Sequence, residues 1–226
     1  MFEFYVSETW QRTYPAGHAG ILVMRGAINP TNHPALEQRK QELENEIRSR
    51  YAGMDRKALL DLPVLQAYNT YYKGFKKTYH VQLQLESLVF KGRSFPCVSA
   101  LVDAMFMAEL SNLLLTAGHD LGSIHGPLRL EAASGAERYI TLLGEEKTLK
   151  AGDMFIADQV GVISSVLYGP DQRTQITPQT QDVLYTVYAP GGISPETVFS
   201  HLEELRDFVQ LVSMNATVHK IDVYGG

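Results

Sequence analysis

Gly126-Pro127-Leu128-Arg129-Leu130-Glu131-Ala132 marks the point where the chain changes texture, alternating apolar and polar side chains after a Gly-Pro break. Arg138 to Leu143, Met154-Phe155-Ile156-Ala157, Val160 to Tyr168 and Val183 to Ala189 follow as further strand candidates. Short strands at such close spacing predict antiparallel or mixed sheets. The half before Gly126 reads as helix. Val98 to Leu115 puts Val98, Leu101, Val102, Met105, Phe106, Leu110, Leu113 and Leu114 on one broad apolar face, with Gly118 as the expected stop. Pro34 to Tyr51 predicts a helix opened by Pro34, Leu59 to Phe75 holds another, and Tyr79 to Phe90 a third. Residues 2–6 and the apolar run Ala19 to Ala27 are the early strand candidates. Ser194 to Val212 reads as a closing helix and Ala216 to Val223 as a last strand. Helices segregated from strands argue an α+β fold rather than repeated βαβ units.

The 226 residues fit one domain with a core of its own. At 45% hydrophobic and 20% charged residues, the composition is that of an ordinary globular chain. A formal charge of −5 excludes a generic nucleic-acid coat, which needs broad phosphate neutralisation. It leaves room for a local basic patch. The one cysteine, Cys97, can form no internal disulfide and is expected as a buried, inert thiol. No signal peptide or membrane-length apolar run is seen, so a cytoplasmic protein without membrane contact is expected. Lys40/Glu44 and Glu46/Arg50 have helix-pair spacing on a solvated amphipathic helix.

The segment richest in chemistry is Ser164-Ser165-Val166-Leu167-Tyr168-Gly169-Pro170-Asp171-Gln172-Arg173-Thr174-Gln175-Ile176-Thr177-Pro178-Gln179-Thr180. A strand enters a Gly-Pro-Asp reversal, and Thr177-Pro178 reads as the cap of a short helical turn. The segment sets a carboxylate, a guanidinium and threonine hydroxyls close together. Two accounts fit. These groups converge on a small polar ligand, with Arg173 gripping a carboxylate or phosphate. Alternatively Asp171 and Arg173 form a turn pair and the threonines are caps. Upstream, Tyr71-Tyr72-Lys73-Gly74-Phe75-Lys76-Lys77 interleaves aromatics with lysines. Lys73, Lys76 and Lys77 fit either RNA contact or a solvated turn at a helix end.

No Walker loop, dinucleotide fingerprint, paired-cysteine zinc site or Gly-x-Ser-x-Gly elbow is present, and no metal or cofactor is expected. His119 and His125 could share a loop, but two histidines do not define a metal site.

From Leu101 to Ala189 the order of features resembles the B3/B4 editing domain of the phenylalanyl-tRNA synthetase beta chain. The matching elements are Leu101-Val102-Asp103, Asp120-Leu121, Leu128 to Ala132, Leu142-Leu143-Gly144, Gly152-Asp153, Phe155-Ile156-Ala157-Asp158 and Ile176-Thr177 through Thr180 to Asp182-Val183-Leu184. The resemblance implies sandwiched mixed β-sheets flanked by helices. It implies a single 1–226 domain, with residues 1–60 as an N-terminal extension packed on a 61–226 core. It also implies contact with tRNA or aminoacyl-tRNA, and hydrolysis of mischarged aminoacyl esters by positioned water, a second sieve for errors that binding alone cannot reject.

On that basis Asp158, Asp171 and Thr180 are the candidate catalytic groups. Asn112, Arg129, Tyr168, Arg173, Thr174, Thr177 and Thr186 are the candidate substrate contacts, and Lys73, Lys76 and Lys77 the candidate RNA contacts. Ala117 stands where the family places a histidine, three residues before Asp120, and His119 is shifted from it. Thr186 stands where the family places a glutamate, and the family's double-glycine turn is replaced by the longer Gly169 to Arg173. Tyrosine specificity is therefore not carried over. Three functions remain in view: a deacylase acting on charged tRNA, an RNA-binding module without chemistry, and a pocket protein for a small amino-acid-like ligand. A homo-oligomer or a partner protein is a further expectation for a free-standing domain.

Overall fold

The computed structural model describes residues 2–226. In chain order the elements are β1 (Phe4–Val6), α1 (Glu8–Thr13), β2 (His18–Arg25), α2 (Pro34–Arg50), α3 (Arg56–Leu60), α4 (Pro63–Gly74), α5 (His80–Lys91), α6 (Ala100–Asn112) and β3 (Thr116–Asp120). Then come β4 (Leu128–Ala132), β5 (Arg138–Ile140), β6 (Glu146–Thr148), β7 (Met154–Ala157), β8 (Val162–Ser165), β9 (Gly169–Pro170), β10 (Val183–Ala189), α7 (Pro195–Val212) and β11 (Thr217–Gly225).

One sheet has the order β1-β4-β7-β8-β9, and it is mixed because β1 runs parallel to β4. The second has the order β11-β2-β10-β3 and is antiparallel throughout. A short β5-β6 hairpin completes the set. The strands expected at Leu128–Ala132, Met154–Ala157 and Val183–Ala189 form as β4, β7 and β10. The α+β reading stands.

The two sheets are tied face to face by Ser164 of β8 and Tyr188 of β10, whose hydroxyls lie 2.6 Å apart. The outer face of the second sheet carries α7. Gly20 of β2 marks how close the approach is: a Cβ there would sit 2.6 Å from Val198 Cγ1 and 3.0 Å from Leu202 Cδ1. Buried on both sides, β2 shows no alternation, which is why its sequence is a continuous apolar run. Residues 1–60, expected as an extension packed on the core, supply this strand between β11 and β10.

Helix α4 is held by three tyrosine hydroxyls. Tyr68 donates to Tyr188 O at 2.6 Å, Tyr72 to Val166 O at 2.8 Å, and Tyr71 to Asp153 Oδ1 at 2.7 Å. Tyr79 stacks on Tyr68 with centroids 4.1 Å apart and donates to Leu113 O. The aromatic density of residues 68–79 is thus partly a packing device.

Several sequence expectations are corrected. Helix α6 starts at Ala100 and stops at Asn112, because Leu113 takes a left-handed conformation (φ 62°) while its N–H donates to Glu109 O. Gly118 is inside β3. Residues 177–180 form a turn closed by Thr180 N–H to Thr177 O, with no helix. On α2, Lys40 is buried and pairs with Asp103 at 2.7 Å and Glu37 at 2.8 Å rather than Glu44. Glu44 takes Arg48 and the Phe95 N–H, and Arg50 donates to Ser111 O. The face expected to be solvated is covered by α6 and the 92–99 connection. Cys97 is exposed on that connection, its thiol 3.1 Å from Asn32 Oδ1, because the helix begins three residues after it.

Candidate functional site

A cavity of about 410 Å³ opens where the edge strand β3 meets α6 and β9. That is within the range of small-molecule sites, roughly 300–1,000 Å³. Helix α6 supplies Val102, Met105, Phe106 and Glu109, residues spaced three and four apart on one helical face. Opposite them are Gln175 and Ile176, Ser165 of β8, and Gly169-Pro170 of β9. Thr116, Ala117 and Gly118 of β3 form the back wall with Leu115 and Tyr188. Exposed Val98 and Leu142 edge the opening. Gly118 keeps the wall open: a Cβ there would be 2.7 Å from Ile176 Cδ1.

Glu109 is the one carboxyl among the lining residues, and no lysine or arginine is among them. It is 2% exposed. Its Oε1 accepts the Thr116 N–H at 2.8 Å, and no donor among the described residues reaches Oε2. Burial pushes its pKa up to about 8, partly opposed by the Thr116 hydrogen bond.

The 171–180 segment forms the cavity's outer wall through Gln175 and Ile176, and its polar side chains bond one another. Arg173 grips Asp158 through two 3.0 Å hydrogen bonds, donates to Ser123 O at 2.6 Å, and lies 3.6 Å from Asp171. The Asp158 side chain is fully buried and also accepts the His125, Val160 and Gly161 N–H groups. Arg173 and these N–H groups together outweigh burial and hold its carboxyl below the ordinary value. Burial outweighs hydrogen bonding at Asp171 and pushes its carboxyl up. Asp171 accepts both the N–H and the hydroxyl of buried Thr174, the latter in a short contact. Having donated its one proton, Thr174 must accept from His119 Nδ1 at 2.8 Å. His119 Nε2 is then a buried lone pair without a partner among the described residues. Burial, then the Arg173 charge, lowers the His119 pKa to about 3, so the ring is neutral. Thr180 accepts the Thr177 N–H and donates to Asp120 Oδ2 at 2.7 Å.

Other sequence-selected residues lie apart. Asn112, at the end of α6, bonds Glu204 and His201 of α7. Arg129 is exposed on β4, between Tyr5 and Ala157. Thr186 is fully buried on β10, its hydroxyl without a partner among the described residues, directly opposite Ala117 on β3. The two positions that depart from the family pattern are thus cross-strand neighbours beside the cavity.

Tyr168 borders the site. Its N–H donates to Ser165 Oγ, and its ring receives Lys77 Nζ 4.2 Å from the centroid. Lys73 and Lys77 line a polar hollow of about 540 Å³ with Asn69 and Thr70. Lys76 is exposed at φ 57°. Burial, with the Lys150 and Lys147 charges, holds the Lys77 ammonium below its usual value, so a positive cluster gathers there. His80, three residues on from Lys77, lines the cavity itself.

Sequence reasoning passed over Glu109. Its signal was its place on the helical face, four residues after Met105 and three after Phe106.

A family model described as the B3/4 domain matches residues 64–197, more than half of the chain. The phenylalanine–tRNA ligase beta subunit of Mycoplasma pneumoniae (strain ATCC 29342 / M129 / Subtype 1) is 32% identical over 69 residues, which are 30% of this chain and 9% of that protein. A crystal structure of an N-terminal fragment of the phenylalanyl-tRNA synthetase beta-subunit from Pyrococcus horikoshii is similar with a TM-score of 0.49 and 16% identity, over 98% of this chain and 50% of that one. No helix among the described residues is long and apolar enough to cross a membrane.

Proposed function

The chain belongs to the B3/4 domain family, and from that premise we propose that it binds the aminoacyl end of a charged tRNA and acts on the ester. The observation that carries this reading is one juxtaposition. An apolar cavity of amino-acid size lies beside a lysine cluster, joined through Lys77, Tyr168 and Gly169. The cavity takes the amino-acid side chain. Lys73, Lys76 and Lys77, with Lys150 bonded to Phe75 O beside them, take the phosphates near the RNA end. The net charge of −5 confines RNA contact to this patch.

Asp158, Arg173, Asp171, Thr174 and His119 act in this reading as a positioning cluster, since their polar atoms are engaged with one another. They hold Gln175 and Ile176 against the opening. Water would be the nucleophile for ester cleavage, and Ser165 and Thr116 bring hydroxyl groups to the cavity lining.

The test is filter binding of charged and uncharged tRNA, followed by release of free amino acid. Charged tRNA binds more tightly than uncharged tRNA, affinity falls with salt, and Lys73→Glu/Lys77→Glu weakens it by about tenfold. Equal indifference to both RNAs, with a thermal shift from free amino acids, would replace this proposal by that of a metabolite pocket.

A further inference from the structure

Among the described residues, Glu109 has the Thr116 N–H as a partner but no cation. A buried carboxyl is normally paired with a cation or fully hydrogen-bonded. Here one oxygen takes a backbone N–H, and the other has no donor among the described residues. The titratable groups packed around it offer no cation. Tyr68 and Tyr72 of α4, and Tyr79 just before α5, are held neutral chiefly by burial. His201 of α7, 2.8 Å from the Thr116 hydroxyl, is pushed by burial to about 3 and is neutral too. Tyr188 of β10 is likewise kept protonated by burial. His80 is the one imidazole among the lining residues. The remaining helix-borne lining residues, Val102, Met105 and Phe106, are apolar.

An apolar sleeve with a single open carboxyl oxygen has a definite complement. We infer that Glu109 is a specificity residue, and that the cavity selects a ligand with an apolar stem ending in a primary ammonium. This rests on the cavity being the aminoacyl site, and it narrows the class of amino acid that site accepts to those with a cationic side-chain end. The ammonium donates to Oε2 while Thr116 N–H keeps Oε1. Burial favours the protonated carboxyl in the empty cavity at neutral pH, and that proton goes to solvent as the cation enters. No bond is made or broken in the ligand.

The experiment compares n-hexylammonium, hexan-1-ol and n-hexanoate by calorimetry on the full chain, at about pH 7 and about pH 9. The three probes share a stem and differ in the end group. Hexylammonium should bind at least about tenfold more tightly than hexan-1-ol at the higher pH, where Glu109 is already ionised. At the lower pH its binding should release a proton, read as a heat that changes with the buffer. Glu109→Gln should abolish both the preference and the proton release. The wild-type comparison stands even where that variant fails to fold. Equal binding of the alcohol and the ammonium, or ammonium binding without proton release, overturns the inference. If charged tRNA still binds in a Lys73- and Lys77-dependent way in that event, the aminoacyl-site reading survives and only the assignment of Glu109 is lost.

Discussion

At the scale of single residues, the chemistry is organised by which side chains have used up their hydrogen-bonding capacity. Arg173 spends four of its contacts on Asp158, Asp171 and Ser123 O. Removing it leaves the fully buried Asp158 with backbone donors alone. Breaking one side of such a pair costs more than the pair contributes, because the remaining charge stays desolvated. Arg173→Ala is therefore expected to lower unfolding free energy by about 3 kcal/mol in urea denaturation. A change below about 0.5 kcal/mol, the size of an ordinary surface substitution, would mean that the pair is not holding the loop. His119 follows the same logic at smaller cost. Its tautomer is dictated by Thr174, whose single proton is committed to Asp171.

Between elements, the tightest constraint is the seat of α7 on β2. The helix is well specified locally: Ser194 caps it, Pro195 occupies its first turn, and Val198, Leu202, Leu205 and Val209 make its buried stripe. What seats it is Gly20, where the missing side chain lets Val198 and Leu202 reach the sheet. Gly20→Ala adds a methyl 2.6 Å from Val198 Cγ1, so helix or strand must shift. Overpacking of this kind costs about 1–3 kcal/mol. The check is a thermal melt of Gly20→Ala beside Gly20→Ala/Val198→Ala, in which shortening Val198 recovers part of the loss. The stop of α6 is also an inter-element matter. Leu113 is left-handed and only 4% exposed, and its carbonyl is taken by Tyr79. Burial of the leucine and that hydrogen bond offset the backbone strain, which is why no glycine marks the end.

Across the whole molecule, β2 decides which part of the chain can fold alone. It lies inside the sheet order β11-β2-β10-β3, with ladders on both sides. A fragment of residues 61–226 would have to leave β10 and β11 with unpaired inner edges and strip α7 of its floor. Unpaired buried backbone groups are costly enough to forbid this. The 61–226 fragment should therefore lack cooperative unfolding and bind an exposed-hydrophobe dye. A sharp melt from that fragment would make the N-terminal 60 residues a true appendage. The cavity sits at the opposite edge of the same sheet, on β3, so the core and the site share one scaffold.

Local periodicity made β4, β5, β7, β8 and β10 and the helices α2, α4, α5 and α7 legible, because apolar spacing reports which face of an element is buried. The α+β segregation follows from that alone, and the succession of elements after Leu101 carried the family resemblance. Pairing across long stretches of chain was not legible. Ala117 and Thr186 face each other only because β3 and β10 are neighbours, and Arg173 meets Asp158 only because the chain reverses at Gly169-Pro170. Lys40 is buried rather than solvated because α2 docks on α6, and Cys97 is exposed rather than buried because α6 starts three residues after it. Glu109 was hidden for the same reason. On a helix with solvent on one side, a glutamate is taken to point outward, but α6 packs against α2, α7 and β3 together. Only that three-sided burial turns an ordinary residue into an unmatched carboxyl at a cavity wall.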